Sequence, residues 1–423
     1  MTIAAWPTYD SYKDSGVEWL GSVPSTWALT RLGGLFEERK VKVSDKDFEP
    51  LSVTKRGIFP QLETAAKTSD GDNRKLVKTG DFVINSRSDR KGSSGVSPLD
   101  GSVSLINIVL KPTNISPEIC NHILKSYAFV EEYYRMGHGI VADLWTTRYD
   151  EMRSIMIALP SPEEQRAIAA FLDEKCAKVD EAVRIKEEQI ALLRERRQVL
   201  IQQAVTNGLN PHAPMKDSGI DWIGEIPAHW EVVPLKRLFR ERNDRSTTGA
   251  ETLLSLRMNE GLVPHDDVSD KQIGADALKD YKQVFPGQLV MNRMRASIGI
   301  FGIVTSSGIV SPDYAIFDMA ARANGDFFLQ LFKTGVMGQQ FRNASRGLGT
   351  GSSGFMRLYT DDFGSISVAL PPLAEQNKIV SHINNLSKKI GDVVLLKEDQ
   401  IAALREYKTC LINAAVTGKI KVV

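Results

Sequence analysis

The chain has 423 residues, of which 42% are hydrophobic and 25% are charged, and these ordinary proportions argue against intrinsic disorder. Its three cysteines and six histidines are too scattered to support a disulfide framework or a zinc site. The formal net charge of +1 excludes bulk basicity, so any surface that binds nucleic acid must be a local patch or be completed by a partner.

The beginning of the chain has no recognisable targeting segment. Residues 1–10 lack the basic region and the apolar core of a secretory signal peptide. No stretch of the sequence approaches the roughly 20 apolar residues of a membrane-spanning helix. We therefore expect a cytoplasmic protein that does not insert into a membrane.

One sequence pattern occurs twice. Lys-Asp-Ser-Gly-x-x-Trp-x-Gly-x-x-Pro-x-x-Trp spans residues 13–27 and again residues 216–230. A charged segment at 159–206 also returns, without a gap, at 370–417. We therefore predict an internal pseudo-twofold repeat, in which a domain and a spacer helix occupy 1–158 and 159–209, and a second domain and helix occupy 210–369 and 370–423.

Both predicted domains combine short β-type runs with helical segments. Apolar runs bounded by turn residues indicate strands, and they lie at 81–84, 103–110, 288–291 and 298–304. One helix is predicted in each domain, over 118–134 and over 326–342. Each domain therefore has a predicted α+β fold, and the two share only sparse landmarks, such as the Gly-x-x-Val-x-Asn patterns that end at Asn85 and Asn292.

A polar, basic segment follows this landmark in each domain, at 86–95 and at 293–297. Arginine pairs bidentately with guanine, serine contacts bases or phosphates, and glycine lets the backbone approach a duplex. A solvated surface loop is the alternative, but two such segments at corresponding positions favour DNA contact. The glycine-rich segment 345–354 is a third candidate, although it lacks the lysine of a phosphate-binding loop. The predicted DNA-binding residues are Lys55, Arg56, Ser86, Arg87, Arg90, Lys91, Ser93, Arg257, Arg293, Arg295, Ser297, Arg346, Ser352 and Ser353.

Two long helices are predicted from apolar residues that recur at alternating spacings of four and three. The simplest partner for each helix is the other one, so the pattern favours an antiparallel coiled coil between the two domains. Each helix would run about 40 residues, or roughly 60 Å. The predicted pairing residues are Ile168, Leu172, Val179, Val183, Lys186, Ile190, Leu193, Leu200, Ile379, Ile383, Ile390, Val394, Lys397, Ile401, Leu404 and Leu411.

Two lysines interrupt this apolar seam at corresponding positions, Lys186 and Lys397. A polar residue in a seam usually fixes register at a cost in stability. We predict this role for both lysines, with the carboxylates at 187, 188, 398 and 399 available to neutralise them. The alternative is that each lysine extends its ammonium group to solvent from the edge of the seam.

No catalytic motif was found in the sequence. It lacks a phosphate-binding loop with its lysine, a dinucleotide-binding glycine motif after a strand, an Asn/Asp-Pro-Pro-aromatic motif, His-Glu-x-x-His and Gly-x-Ser-x-Gly. Binding is therefore the predicted activity, and no metal or cofactor site is assigned to the chain. The alternatives are a coiled-coil scaffold or adaptor that does not read DNA, and a fused methyltransferase or nuclease.

The repeated opening pattern, Leu-Pro-x-x-x-Glu-Gln at each helix start and Ala-Val-Thr at each helix end resemble the specificity subunit of type I restriction-modification systems. The resemblance covers the whole chain. It implies that each domain is a target recognition domain for one half of a split, asymmetric sequence in double-stranded DNA. It also implies that the helices set the spacing between the halves and dock two methyltransferase (M) subunits.

The same resemblance implies further partners. Restriction and translocase (R) subunits would join the complete complex. S-adenosylmethionine, ATP and Mg²⁺ would be bound by the partner subunits, so that this chain would be a non-catalytic subunit of the restriction and methylation complex. The absence of catalytic motifs and the near-neutral charge both agree with that division of labour.

Overall fold

The computed structural model describes residues 6–62, 71–139, 145–270, 273–348 and 355–422. Its contacts divide the chain into two units. Unit 1 consists of Met1–Glu187 and Lys397–Val423, and unit 2 of Glu188–Leu396. The division falls inside two long helices, Pro162–Asn207 and Leu373–Val416, so each unit contains one α+β body and half of each helix.

The strands and helices of the first half are short, apart from the last helix. The strands are β1 (Tyr12–Asp14), β2 (Ser22–Pro24), β3 (Ala28–Arg31), β4 (Phe36–Glu38), β5 (Lys42–Val43), β6 (Leu51–Thr54), β7 (Gly57–Pro60), β8 (Arg74–Val77), β9 (Phe82–Asn85), β10 (Ser94–Val96), β11 (Gly101–Val103), β12 (Asn107–Pro112) and β13 (Met156–Leu159). The helices are α1 (Pro117–Leu124), α2 (Tyr127–Arg135), α3 (Tyr149–Met152) and α4 (Pro162–Asn207).

The second half contains a comparable series. Its strands are β14 (Met215–Asp217), β15 (Glu225–Pro227), β16 (Glu231–Pro234), β17 (Phe239–Arg242), β18 (Leu254–Arg257), β19 (Gly261–Pro264), β20 (Lys282–Val284), β21 (Leu289–Asn292), β22 (Phe301–Ile303), β23 (Gly308–Val310), β24 (Tyr314–Met319), β25 (Arg346–Leu348), β26 (Phe355–Arg357) and β27 (Ser367–Leu370). Its helices are α5 (Ala275–Leu278), α6 (Gly325–Phe332), α7 (Gly335–Ala344), α8 (Thr360–Ser365) and α9 (Leu373–Val416).

The body of each unit is built around a four-stranded antiparallel sheet. The strand order is β10-β9-β12-β4 in unit 1 and β22-β21-β24-β17 in unit 2, which is the same order for equivalent strands. Three two-stranded pairings also recur: β1-β2 with β14-β15, β6-β7 with β18-β19, and β3-β13 with β16-β27. One fold therefore occurs twice, as the sequence predicts.

One of the two central strands of each sheet, β9 or β21, contributes side chains to cores on both faces. In β9, Phe82 and Ile84 pack in the main core with the helices, whereas Val83 packs in a smaller cluster with hairpin β6-β7. In β21, Leu289 packs in the main core and Val290 packs in the equivalent smaller cluster. Side chains of successive strand residues point to opposite faces, so a single strand contributes to both the main core and the smaller cluster under the hairpin.

The helix predicted over 118–134 is two helices in the structure, α1 and α2, and the one predicted over 326–342 is likewise α6 and α7. A capping hydroxyl causes each break. Ser126 accepts a hydrogen bond from the Phe129 amide and donates one to the Ile123 carbonyl. Thr334 makes the equivalent bonds in unit 2. Each hydroxyl satisfies backbone groups at the end of one helix and at the start of the next.

The β-type runs are also subdivided. The run predicted over 103–110 contains the end of β11 and the start of β12, with a turn between them. The run predicted over 298–304 contains β22, preceded by a 3-10 turn at Ala296–Ile298. Continuous apolar sequence therefore does not mark continuous strand in these bodies, because apolar residues also occupy the turns, where Leu105, Ile106 and Ile298 are exposed.

The paired helix halves are antiparallel. In unit 1, Lys408 Nζ lies 2.7 Å from the Asp180 carboxylate, and Lys186 Nζ donates to Gln400 Oε1 at 2.6 Å. Residue numbers that rise along α4 therefore pair with residue numbers that fall along α9. The predicted fold class is confirmed. Lys186 has an amide as its hydrogen-bond partner here, rather than one of the expected carboxylates.

The predicted seam is the least exposed side of both helices. Eight of its residues are half-buried: Val183, Lys186, Leu193, Leu200, Ile390, Val394, Lys397 and Leu404. The other eight are buried: Ile168, Leu172, Val179, Ile190, Ile379, Ile383, Ile401 and Leu411. Burial is most complete near the helix ends, where seam residues join the core of each body.

Candidate DNA-binding surfaces

A β-hairpin presents the first two candidate residues of unit 1. Lys55 and Arg56 form the tip between β6 and β7, and both are exposed. The Thr54 hydroxyl accepts from the Arg56 amide at 3.1 Å and donates to the Gly57 carbonyl at 2.9 Å. The tip is thus a closed turn that projects two cationic side chains.

The polar segment after β9 presents a second group. Asn85 Oδ1 accepts from the Arg87 amide at 3.0 Å, and a 3-10 turn follows at Ser88–Arg90. Arg87 and Arg90 are exposed, and Lys91 pairs with Glu131 at 2.6 Å.

The two predicted serines of this segment have a different position. Ser86 and Ser93 are each only 6% exposed. Their hydroxyls therefore lie below the surface that the arginines of the same segment occupy.

One cavity brings the hairpin and the polar segment together. It has a volume of about 540 Å³ and is lined by Lys55, Arg90 and Ser93, among others. Arg74 of β8 also lines it and is 4% exposed, with its guanidinium bonded to the hydroxyl and the carbonyl of Ser102. Burial lowers the pKa of Arg74, which is the largest effect on that group. Arg74 was not among the predicted residues because it lies in strand β8, outside the two polar segments that follow β9 and β21.

Unit 2 presents fewer exposed candidates at the equivalent places. Arg257 ends β18, next to the hairpin tip, and donates to the Val268 carbonyl at 3.1 Å. Arg295 is exposed and Ser297 is half-buried in the polar segment after β21. Asn292 Oδ1 accepts from the Met294 amide at 3.1 Å.

This bond repeats the turn made by Asn85, so Met294 is the structural counterpart of Arg87, and Arg293 is the counterpart of Ser86. The two polar segments are equivalent, as the sequence analysis predicts. Their arginines, however, do not occupy equivalent positions.

Arg293 has partners within the protein. Its guanidinium lies 2.6 Å from Glu241 Oε1 and donates to the Thr360 hydroxyl at 3.1 Å, and its side chain is 17% exposed. It therefore ties β17 to the start of α8. Arg346 is exposed and pairs with Asp362. Ser352 and Ser353 lie outside the described residues, so the loop that contains them adds no geometry to the site.

The Glu-Gln pair at each helix start has a role that the sequence analysis did not predict in detail. Gln165 is 3% exposed, donates to the Pro160 carbonyl and accepts from the Ser116 amide. Gln376 is fully buried and makes the equivalent bonds to the Pro371 carbonyl and the Asn324 amide. In each unit, a buried glutamine thus fastens the start of a long helix to the start of α1 or α6.

The described residues contain no group of three or more His, Cys, Asp and Glu side chains that could hold a metal ion. Within the same part of the chain, no helix has the length and apolar character needed to cross a membrane.

Comparison with known sequences shows which proteins the chain is similar to. No protein-family model matches it. The type I restriction enzyme MjaVIII specificity subunit of Methanocaldococcus jannaschii is 23% identical over 425 residues, covering 95% of this chain and 94% of that protein. A second relative from that archaeon, described as the MjaX specificity subunit, is 23% identical over 289 residues, covering 64% of this chain and 61% of its own length. The EcoDI specificity subunit of Escherichia coli is 20% identical and covers 95% of this chain and 90% of its own length.

Solved structures show the same fold. The HsdS subunit from Thermoanaerobacter tengcongensis has a TM-score of 0.57 at 18% identity, over 94% of this chain and 98% of that one. A chain from a study of complex assembly and conformational transition of a type I R-M system has a TM-score of 0.67 at 15% identity, over 93% of this chain and 98% of that one. The resemblance predicted from the sequence is therefore confirmed.

Proposed function

We propose that this chain, a relative of type I restriction enzyme specificity subunits over nearly its whole length, reads a split, asymmetric DNA target with one half-site for each unit. The observation that carries the proposal is the recurrence of one fold with different side chains at equivalent exposed positions. Lys55 at one hairpin tip corresponds to Met258 at the other, and Arg87 corresponds to Met294. Identical surfaces would read identical half-sites, whereas different surfaces read different ones.

The charge of the candidate surfaces supports DNA as the ligand of unit 1. Lys55, Arg56, Arg87 and Arg90 are exposed on two neighbouring segments, and the buried cation of Arg74 lies beneath them. Exposed cations attract the phosphate backbone, and arginines reach base edges in the major groove. Unit 2 offers Arg257 and Arg295, so its half-site would be bound with fewer charged contacts.

The long helices supply the proposed docking surface for the methyltransferase subunits. Large apolar side chains outside the seam are exposed on them in unit 2, and Leu192, Leu395 and Leu396 are the most exposed of these. Exposed apolar side chains on an otherwise charged helix favour a protein partner. Catalysis, together with S-adenosylmethionine, ATP and Mg²⁺, is assigned to the methyltransferase and restriction subunits. The names of the relatives support the assignment of this chain as a non-catalytic subunit.

Selection of bound duplexes from a random pool tests the DNA proposal. The full chain, assembled with its methyltransferase subunits, is expected to enrich a motif in two parts with unlike halves. Replacing residues 28–158 by the corresponding body of another specificity subunit should change one half of that motif and leave the other intact. A palindromic motif, or no enrichment, would contradict the proposal.

The docking proposal has a separate test. Leu192→Glu with Leu396→Glu should abolish copurification of the methyltransferase subunits, because a charge replaces each apolar contact. Gln203→Glu is a matched control at an exposed polar position of α4. Equal loss of partner binding in the control, or full retention in the double variant, would reject these residues as docking contacts.

A further inference from the structure

Each unit has a lysine at the junction of its two short helices. Lys125 follows α1 and precedes Ser126, which caps α2; Lys333 follows α6 and precedes Thr334, which caps α7. The amide of each lysine also bonds to carbonyls of the preceding helix. The backbone of each lysine is therefore held from both sides, and the helix break directs its side chain out of the helix pair.

Both lysines make the same long-range contact. Lys125 Nζ donates to the Lys55 carbonyl at 3.2 Å, and Lys333 Nζ donates to the Met258 carbonyl at 3.2 Å. Both carbonyls belong to the tip of the hairpin, β6-β7 in one unit and β18-β19 in the other. Partial burial lowers the pKa of both ammonium groups, and Lys408 lowers that of Lys125 further.

The hairpin rests on the sheet at equivalent glycines. A Cβ at Gly95 of β10 would lie 3.2 Å from Gly57 Cα, and a Cβ at Gly302 of β22 would lie 2.7 Å from Leu256 Cδ1. A Cβ at Gly95 would thus press on the backbone of the hairpin, and one at Gly302 would displace the end of the Leu256 side chain. In both units the hairpin therefore lies close over a glycine of the sheet and has its tip bonded to a lysine ammonium group.

The tip itself has little packing support in unit 2. Met258 and Asn259 border a cavity of about 860 Å³ that Lys333 and residues of α4 also line. Met258 is exposed. A tip that borders open space depends on polar tethers for its position, and the Lys333 ammonium group supplies one at 3.2 Å.

We propose that Lys125 and Lys333 are positioning residues, each of which sets the hairpin that reads one DNA half-site. Each lysine binds a backbone carbonyl, which every residue type provides. The tips can therefore differ in sequence and in length, with Lys55 and Arg56 in one unit and Met258, Asn259 and Glu260 in the other, while the first tip residue of each keeps the same bond to a lysine. The proposal rests on the proposed function, because it assigns a role within half-site reading.

The test uses the full chain in complex with its methyltransferase subunits. Lys125→Met and Lys333→Met each remove the donor and keep an unbranched side chain that is one atom shorter. Binding is measured to the selected duplex and to duplexes with single base-pair changes in either half. Lys125→Met should lower discrimination about fivefold or more in one half only, and Lys333→Met should do so in the other half only. Lys125→Arg and Lys333→Arg keep a donor and should restore most of the discrimination.

Matched controls are Lys111→Met in unit 1 and Lys279→Met in unit 2. These lysines form exposed pairs with Glu37 at 3.3 Å and Asp276 at 2.7 Å. Neither control should change discrimination. Lys333 lies at an exposed position, although its ammonium group is partly buried at the hairpin tip, and Lys125 is half-buried. We therefore expect Lys333→Met to keep the fold and to decide the question even where Lys125→Met does not fold.

Several results would overturn the proposal. Equal weakening on all duplexes would make the lysines phosphate contacts, and equal effects on both halves would remove the assignment of one lysine to one half. Unchanged discrimination would show that the tether is dispensable. A wild-type complex without any sequence preference would instead reject the proposed function itself, so the two failures are distinguishable.

Discussion

The buried glutamines at the helix starts give a quantitative prediction about stability. Gln376 is fully buried and makes hydrogen bonds of 2.8 Å to the Asn324 amide, 2.9 Å to the Arg322 carbonyl and 2.9 Å to the Pro371 carbonyl. Gln376→Leu removes all three and leaves the Pro371 carbonyl buried without that partner. A hydrogen bond contributes about 1 kcal/mol and a buried unpaired group costs about 1 to 3 kcal/mol. Counting about 1 kcal/mol for each of the bonds to Asn324 and Arg322 and about 1 to 3 kcal/mol for the buried Pro371 carbonyl, we expect Gln376→Leu to lower the free energy of unfolding by about 3 to 5 kcal/mol.

The equivalent residue of unit 1 provides an internal comparison. Gln165 makes two bonds, of 3.3 Å to the Ser116 amide and 3.0 Å to the Pro160 carbonyl. Gln165→Leu should therefore be less destabilising than Gln376→Leu, by about 1 kcal/mol for the missing third bond. Gln198→Leu, at an exposed position of α4, is the control and should stay within about 0.5 kcal/mol of the wild type.

Urea unfolding measured by hydrogen exchange gives the required resolution. Two units do not have to unfold in one step, so peptides from each unit are followed separately. Gln376→Leu should shift the transition of unit 2, and Gln165→Leu that of unit 1. A loss below about 1 kcal/mol for Gln376→Leu would refute the proposal that these glutamines stabilise the packing of the helix starts. A loss for Gln165→Leu that exceeds the loss for Gln376→Leu would refute it as well.

Three further predictions concern charged groups. Arg87→Ala should cost about 1 to 3 kcal/mol at one base position in a binding assay, whereas Arg293→Ala should instead lower the melting temperature, because its guanidinium is paired within the protein. Lys186→Leu with Lys397→Leu should raise the melting temperature and loosen register, which crosslinking would detect; a lower melting temperature would contradict this. Hydrogen bonds lower the pKa of Glu251 from 4.5 to about 2, so the stabilising effect of this carboxylate is complete above pH 4.5 and is lost as the pH falls towards 2. When the free energy of unfolding is measured with urea at each pH, Glu251→Gln should weaken its dependence on pH in that range.

The long helices were predictable because their signals are local. The seam repeats every seven residues, prolines precede both helices, and the predicted starts and ends agree with α4 and α9 within a few residues. The break at Ser126 was not predictable in the same way. Residues on both sides of it have helical character, and the cap forms only where the chain turns to bury two short helices against the sheet.

The candidate DNA-binding residues could likewise be predicted only in part from the sequence. A basic segment was visible in each unit, but whether an arginine reaches solvent depends on groups far away in sequence. Arg293 pairs with Glu241, which lies 52 residues earlier, and Arg74 bonds to Ser102, 28 residues later. Composition identified the polar segments, whereas strand pairing decides which of their cations is directed outwards.

The contacts that recur in both units share a chemical feature. Lys75 Nζ donates to the Asn107 carbonyl at 2.8 Å, and its counterpart Lys282 donates to the Tyr314 carbonyl at 2.7 Å. The buried glutamines and the hairpin lysines likewise bind backbone groups. A contact with the backbone places no demand on the side chain of its partner, so the framework can be maintained while exposed side chains change. This separation explains how the two halves can keep one fold and still differ at Lys55 and Met258, which is the condition for reading a non-palindromic target.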